Sequence, residues 1–395
     1  MDKKTIMVFG VGELQKSIIE RAHKMGLFVV GIDPCSDAVC KNDCDAFEIV
    51  GGEDFSGTID VCQKYNVMAI VTAATDKPLV MMARVAEKLN FPFFGVRTAT
   101  WSTDKFQMKQ RFIEGGVPCA QGRLISSANE VEGMEFPLII KPRDNSGSRG
   151  VRLCRNKEEL QDSISEALGN SHLTTVLVEE FIEGREFSIE SLHYNNKSEV
   201  IQFTEKKTTE FPYNVELGHK QPANLTDDQR WQISVIIDKI AECMQFENCP
   251  SHTELKINDH GIFVIETSPR LGGDYITSNL TPLSTGINLE DQLLHIALGE
   301  SVDTKTGRVE KASAVCFFSL PVGEVQSIKP EVCNVIYWPN MFDFNLKLKI
   351  GGKVNKITSS LDRYGQFIIQ ADSREEINAL IEKYENKINS LIVVE

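Results

Sequence analysis

Across the first third of the chain, short apolar runs alternate with amphipathic ones, and this alternation restricts the fold more than any other feature of the sequence. Thr5 to Gly10 is apolar, Glu13 to Met25 amphipathic, Leu27 to Asp33 apolar, and Ala69 to Thr72 apolar again before the helical pattern Leu79 to Leu89. Strands joined by helical crossovers pair in parallel, so this part is expected to form a small doubly wound α/β sheet. Between Gly95 and Lys105 the pattern gives way to polar turn residues. A new helix is expected after Ser102-Thr103-Asp104, whose side chains suit N-capping, and a domain boundary is placed near Gly95.

From Phe136 onward the pattern predicts strand Pro137 to Pro142, polar loop Arg143 to Gly150, strand Val151 to Cys154, helix Lys157 to Leu168 and strand Thr175 to Phe181. Glu186 to His193 and Ile262 to Glu266 are also strand-like. After Glu300, short β-rich runs at Ala314 to Leu320 and Phe344 to Ile350 precede a helix from Ser373 to Lys387, which reads as a separate cap. At 395 residues the chain exceeds one ordinary core. Three units are expected: an α/β unit over 1–95, an α+β unit over 96–300 and a small α+β cap over 301–395. No internal repeat or low-complexity segment interrupts them.

Composition narrows the partners. Hydrophobic residues make up 42% and charged residues 25%, and no apolar run approaches the roughly 18 residues of a membrane span. A formal net charge of -14 opposes a nucleic-acid partner, since phosphates are neutralised by a surplus of Lys and Arg. Met1-Asp2-Lys3-Lys4 leads into a strand without a signal-like apolar core, so a cytoplasmic location is expected. The ten cysteines are scattered; Cys35, Cys40 and Cys44 cluster but lack a CxxC spacing, and ordinary thiols are expected rather than zinc ligands.

Gly10-Val11-Gly12 at a strand-to-helix turn, with Asp33 ending the next strand, invites a dinucleotide reading. Gln15 stands where that fingerprint needs a small residue for close helix packing, which favours a plain βα turn. There is no GxxxxGK[ST] and no HExxH. Ser146-Gly147-Ser148-Arg149-Gly150 departs from a nucleophile elbow at its first position, which disfavours a serine hydrolase.

Three segments carry more chemistry. In the first, Ile139-Ile140-Lys141-Pro142 ends an apolar strand and the small polar run through Ser146, Gly147, Ser148 and Gly150 follows; backbone N–H groups and a lysine can cradle phosphates there, although such loops are more often hairpins. In the second, Val178 to Ser188, Glu179 could accept from an exocyclic amine. The backbone from Glu180 through Phe181 to Ile182 could read a ring edge and Glu186 could take ribose hydroxyls, the bland alternative being a solvated acidic turn. In the third, two strands joined by a turn over 258–261 set Glu254 beside Glu266. Paired carboxylates repel unless a cation lies between them, hard Mg²⁺ is the natural filler, and Arg270 adds a permanent planar donor; edge protection is the alternative.

Taken together and in this order, with Lys105 opening the middle unit, the three segments resemble the ATP-grasp family over about Ser102 to Glu300. The resemblance implies a pre-ATP-grasp domain, an α+β ATP-grasp domain and a cap, with Mg²⁺ or Mn²⁺ and ATP as cofactors. It also implies that Lys105 and Lys141 hold the nucleotide phosphates, that 145–150 form a lid, that Glu179 to Ile182 and Glu186 hold adenosine, and that Glu254 and Glu266 bind metal. Arg270 would steady an acyl phosphate. Many members carry Asn two residues after the second metal acid, whereas this chain has Ser268, a shorter ligand.

The run from Glu266 to Asp274 looks more like the amino-acid ligase and phosphoribosylglycinamide synthetase-like groups than biotin carboxylase. The loop read over Glu216 to Pro222 carries His219, a candidate for orienting substrate, with an exposed loop histidine as the alternative. The expected function is ATP-dependent ligation of a small-molecule carboxylate to an amine. A bicarbonate-using carbamoyl-phosphate synthetase or carboxylase comes second and an NAD oxidoreductase last. A homodimer is the expectation on symmetry grounds.

Overall fold

A computed structural model describes residues 3–395. β1 (Thr5–Phe9) is buried along its whole length, as a parallel strand covered on both faces must be. It is followed by α1 (Lys16–Lys24), β2 (Phe28–Asp33), β3 (Ala46–Ile49), α2 (Phe55–Lys64), β4 (Val67–Val71) and α3 (Leu79–Leu89). The sheet is parallel throughout, in the order β3-β2-β1-β4. Met7, Phe9, Val30 and Ile32 face Val61 of α2 and Met82 and Val85 of α3. β3 and α2 lie in a polar stretch whose weak periodicity the sequence reading passed over.

α4 (Val96–Thr103) and α5 (Lys105–Glu114) meet at Asp104, which caps α5 by accepting from the backbone N–H of Phe106 and Gln107 and pairs with Arg143. The next unit is a four-stranded antiparallel sheet of β5 (Gly122–Ile125), β6 (Leu138–Pro142), β7 (Arg152–Cys154) and β8 (Val176–Glu180), ordered β5-β8-β6-β7 and backed by α6 (Leu160–Gly169).

An eight-stranded sheet forms the other wall. β9 (Arg185–Tyr194), β10 (Lys197–Thr208) and β11 (Glu216–Gln221) precede α7 (Asp227–Met244), and β12 (Cys249–Asn258) and β13 (Gly261–Ser268) follow it. β11 occupies the segment read from sequence as a loop. After the short α8 (Thr281–Thr285), α9 (Leu289–Ala297) lays Leu293 and Leu294 on the face of the first sheet formed by Ile6, Val8 and Val29. A helix more than two hundred and fifty residues downstream of β2 thus completes the N-terminal core.

The remaining elements are β14 (Ala312–Phe317), β15 (Gly323–Ile328), β16 (Met341–Leu346), β17 (Lys353–Val354), β18 (Gly365–Ala371), α10 (Arg374–Asn389) and β19 (Ile392–Val394). β14, β18 and β16 continue the large sheet, whose order is β13-β12-β9-β10-β11-β14-β18-β16. β14 pairs with β11, so the sheet runs unbroken across residue 300. Only β15, β17 and β19 form a sheet of their own.

Candidate functional site

The C-terminal ends of β1, β2 and β4, the loop after β6 and one face of the large sheet enclose a cavity of about 990 Å³. A crevice outside the carboxyl ends of parallel strands is where such sheets place ligands. Lys105, Lys141, Ser146, Gly147, Ser148, Glu179, Glu180, Phe181, Ile182, Glu186, His219, Glu254, Glu266 and Arg270 all line it. Gly150 and Ser268 do not.

Ile139, Leu153, Phe181, Phe187, Leu255 and Ile265 give the cavity its apolar lining, and the Phe181 ring stands edge-on to Phe211 at 5.0 Å with Lys256 Nζ 5.0 Å from its centroid. A flat heterocycle fits such a slot. Glu180 turns its carboxylate away to accept from Gln121 N at 2.8 Å, so only its backbone addresses the slot. Glu186 takes a hydrogen bond from Asn214 at 2.8 Å and lies 3.1 Å from Lys256.

Glu179 does not stand free for an amine. Both its oxygens are held by lysines, Lys109 at 2.7 Å and Lys141 at 2.6 Å, in a buried triad. Burial, and then the neighbouring Lys109, hold the Lys141 pKa below the ordinary lysine value despite Glu179, whereas burial is outweighed at Glu179 by the two lysines and its pKa falls. The expected adenine-amine acceptor is thus a counter-ion to Lys141, the lysine expected at the phosphates. Lys109 escaped the sequence reading because a lysine inside a helix of mixed polarity looks solvated.

The loop after β6 is tied down at its start. Asp144 accepts from Ser171 Oγ at 2.6 Å and His172 N at 2.9 Å, and Lys105 Nζ donates to Asn145 O at 2.8 Å. Gly147 and Ser148 both adopt left-handed φ, +69° and +57°. Gly150 has φ +73°, and a Cβ there would meet Asn170 at 2.8 Å and Pro142 at 3.0 Å, so it shapes the loop without reaching the cavity.

Glu254 and Glu266 are direct partners in the β12–β13 register. Lys206 lies 2.9 Å from Glu254 and 3.3 Å from Glu216, while Lys105 lies 2.9 Å from Glu266. Glu254 is further flanked by His252 at 3.4 Å, whose other ring nitrogen donates to Glu190 at 2.6 Å. Burial alone would lower the His252 pKa, but Glu190 and Glu254 raise it to about 9. Lys206 and His252 together keep the Glu254 carboxyl well below its usual range against burial. Two oxygen donors opposite each other on a cavity wall suit a hard divalent cation completed by phosphate oxygens. Among the described residues no group of three or more His, Cys, Asp or Glu side chains forms a closed protein cage. Ser268, expected as a third ligand, instead donates its hydroxyl to Asp76 at 2.6 Å.

Asp76, from the loop after β4, also receives Arg270 Nε at 2.9 Å and Nη2 at 3.2 Å. Its place in the loop that follows a parallel strand, at the crevice, was the signal by which it could have been found. Gly272 permits a tight approach, since a Cβ there would meet His252 Nδ1 at 2.7 Å. His219 is buried on β11; its Nε2 lies 3.4 Å from Asp274 and its Nδ1 has no protein partner. Asp274 is clamped by Arg363 through two 2.6 Å bonds, and that guanidinium sits 3.7 Å from the Phe317 ring centroid. Sequence reasoning had no means of bringing Arg363 to this site.

The dinucleotide motif is explained by its own backbone. Asp33 accepts from Val11 N at 2.9 Å and Cys35 N at 2.8 Å, and Gln15 donates to Ala73 O at 2.5 Å, so these side chains brace the turn. The cysteines are free thiols; burial pushes Cys40 up to about 11 and Cys44 to about 12.

Residues 134–278 match the sequence model of the ATP-grasp domain. The chain is 25% identical over 324 residues to the uncharacterized protein y4rH of Sinorhizobium fredii, covering 80% of this chain and 66% of that one. It is 23% identical to alanine–anticapsin ligase of Bacillus amyloliquefaciens over 284 residues, 64% of this chain and 59% of the relative. The chain therefore spans less than two thirds of the length of these two relatives. Its fold is similar to that of the L-amino acid ligase from Bacillus licheniformis, with a TM-score of 0.84, 19% identity, and coverage of 100% and 99% of the two chains. No described helix is long and apolar enough to cross a membrane.

Proposed function

We propose, from the match of residues 134–278 to the ATP-grasp domain model, that this chain is an ATP-dependent carboxylate-amine ligase that works through an acyl phosphate. The supporting observation is the in-register pair Glu254 and Glu266 on the wall of a cavity that also receives Lys105, Lys141 and Arg270. Units 1–95, 96–300 and 301–395 correspond on this reading to the pre-ATP-grasp, ATP-grasp and cap portions.

The apolar slot around Phe181 holds the adenine and Glu186 faces the ribose. Lys105, Lys141 and the backbone of 146–148 neutralise the phosphates. Glu254 and Glu266 would hold Mg²⁺ or Mn²⁺, which would supply charge neutralisation at the phosphoryl oxygens. A substrate carboxylate oxygen bonds to the γ-phosphorus as the bond to ADP breaks; the amine then bonds to the acyl carbon, inorganic phosphate leaves, and the nitrogen loses a proton. The protein's own part is to orient the reactants and stabilise charge, with Arg270 at the developing acyl phosphate.

An ADP-release screen of amino acids, singly and in pairs, with Mg²⁺ or Mn²⁺ tests the proposal. Acid- and amine-dependent ADP with a matching condensation product is the expected result. ADP release stimulated by bicarbonate without any amine would replace it with the carboxylase-type reading.

A further inference from the structure

We propose that Asp76, supplied by the N-terminal parallel sheet, is the positioning residue that sets the direction of Arg270. This deepens the ligase reading and rests on it for the role of Arg270. Asp76 follows β4 on a loop whose Ala74 has φ +55°, a left-handed conformation that a β-carbon disfavours. That turn carries the Asp76 carboxylate across to the end of β13. There it meets three donors from one short segment: Ser268 Oγ at 2.6 Å, Arg270 Nε at 2.9 Å and Arg270 Nη2 at 3.2 Å.

The consequence lies in the geometry of the fork. A guanidinium has five N–H donors in one plane. Asp76 occupies the Nε edge, and Leu271 O takes one Nη1 proton at 3.1 Å. One proton on each terminal nitrogen is left, on a residue that lines the cavity. A freely rotating arginine would lose this pre-orientation on every turnover, whereas a clamped one does not. Ser268 has a part in the same clamp: a hydroxyl is short enough to reach Asp76 and leave the guanidinium beside it.

The charge balance agrees with this. Burial opposes ionisation of Asp76, yet Arg270 and Ser268 bring its pKa below the ordinary aspartate value. Lys105 and Glu266 stand next to the pair, so the clamp ties the N-terminal sheet to the wall that carries the two in-register acids.

The test uses the full-length protein and the substrate pair giving the highest ADP release. Asp76→Asn keeps the shape and removes the charge. It should lower kcat about 10- to 100-fold while leaving the KM for ATP within about 2-fold. In an Arg270→Lys background, Asp76→Asn should add less than about 2-fold, because a residue acting through Arg270 has nothing left to position. An equal loss in both backgrounds, or a raised KM for ATP at unchanged kcat, would overturn the proposal.

An independent readout separates its failure from that of the ligase reading. In ¹⁵N-arginine-labelled protein the Arg270 Nε–H resonance, identified by its loss in Arg270→Lys, should exchange slowly in the wild type and at least 10-fold faster in Asp76→Asn. Equal exchange sinks the clamp whatever the enzyme turns over. If Asp76→Asn does not fold, Asp76→Glu, which moves the carboxylate by one methylene, carries the same measurements.

Discussion

Glu254 and Glu266 stand directly opposite one another on neighbouring strands, yet each is neutralised by a different lysine, Lys206 for the first and Lys105 for the second. The two lysines are not equivalent: Lys206 is fully buried between β10, β11 and β12, whereas Lys105 also donates to Asn145 O at the loop. The acids should therefore fail differently when altered. Glu266→Gln is expected to cut carboxylate-dependent ADP formation by about 100-fold or more with little change in thermal unfolding. Glu254→Gln should lose activity to a similar extent and, by leaving Lys206 with Glu216 alone, also cost roughly 1.5–3 kcal/mol of stability in denaturant unfolding. Equal stabilities for the two variants would contradict this division.

Lys109 does not line the cavity, yet on the proposed reading it sets nucleotide affinity through Glu179. When Lys141 engages a phosphate it must share or leave Glu179, and Lys109 keeps that buried carboxylate neutralised. Lys109→Met should raise the dissociation constant for ATP about 10-fold or more, measured by calorimetry, as Lys141 is then the only partner of Glu179. Unchanged ATP affinity in a folded variant would show that Lys141 and Glu179 do not need it.

Arg363 joins the C-terminal segment to the cavity wall through Asp274. Arg363→Leu keeps contact with Phe317 but strips Asp274 of both strong bonds, leaving His219 at 3.4 Å. The KM for the acceptor substrate should rise about 10-fold with the KM for ATP nearly unchanged in steady-state assays. Parallel increases in both would place the effect on overall folding.

Glu290 supplies a pH dependence away from the site. Buried between α9 and α1 with Ser17 Oγ donating at 2.6 Å, its carboxyl is pushed up to about 7 by burial. The folded state thus holds a proton that the unfolded chain releases near pH 4.5. Stability from this group is complete below that value and falls as pH rises towards about 7, above which the loss is constant. Glu290→Gln, which can still accept from Ser17, should flatten the fall between pH 4.5 and 7 and raise stability at pH 8 in urea titrations. A wild-type slope surviving in the variant would exclude Glu290 as its source.

What was legible in the sequence was local. Apolar periodicity located Leu79–Leu89, the capping run located the start of the helix at Lys105, and the two strands around the 258–261 turn brought Glu254 opposite Glu266, since a hairpin register is set by neighbours in the chain. The large sheet was less legible. β10 and β11 mix lysines and acids with apolar residues because Lys206, Glu216 and His219 line the cavity while Glu205, Lys207 and Lys220 pair with the C-terminal segment, so the alternation that marks a half-buried strand is blurred.

The sequence by itself determined the parallel N-terminal sheet, the small polar loop after β6 and the order in which lysines and acids enter the middle of the chain. Tertiary structure decided which charge each of them meets. Asp76 on Arg270 and Ser268, Lys109 on Glu179, Lys206 on Glu254, Arg363 on Asp274 and the cover of α9 on β1 all join residues with no periodic relation in sequence. The physical reason is that periodicity reports which side of an element avoids water, whereas the partner of a buried charge depends on which distant element desolvates it.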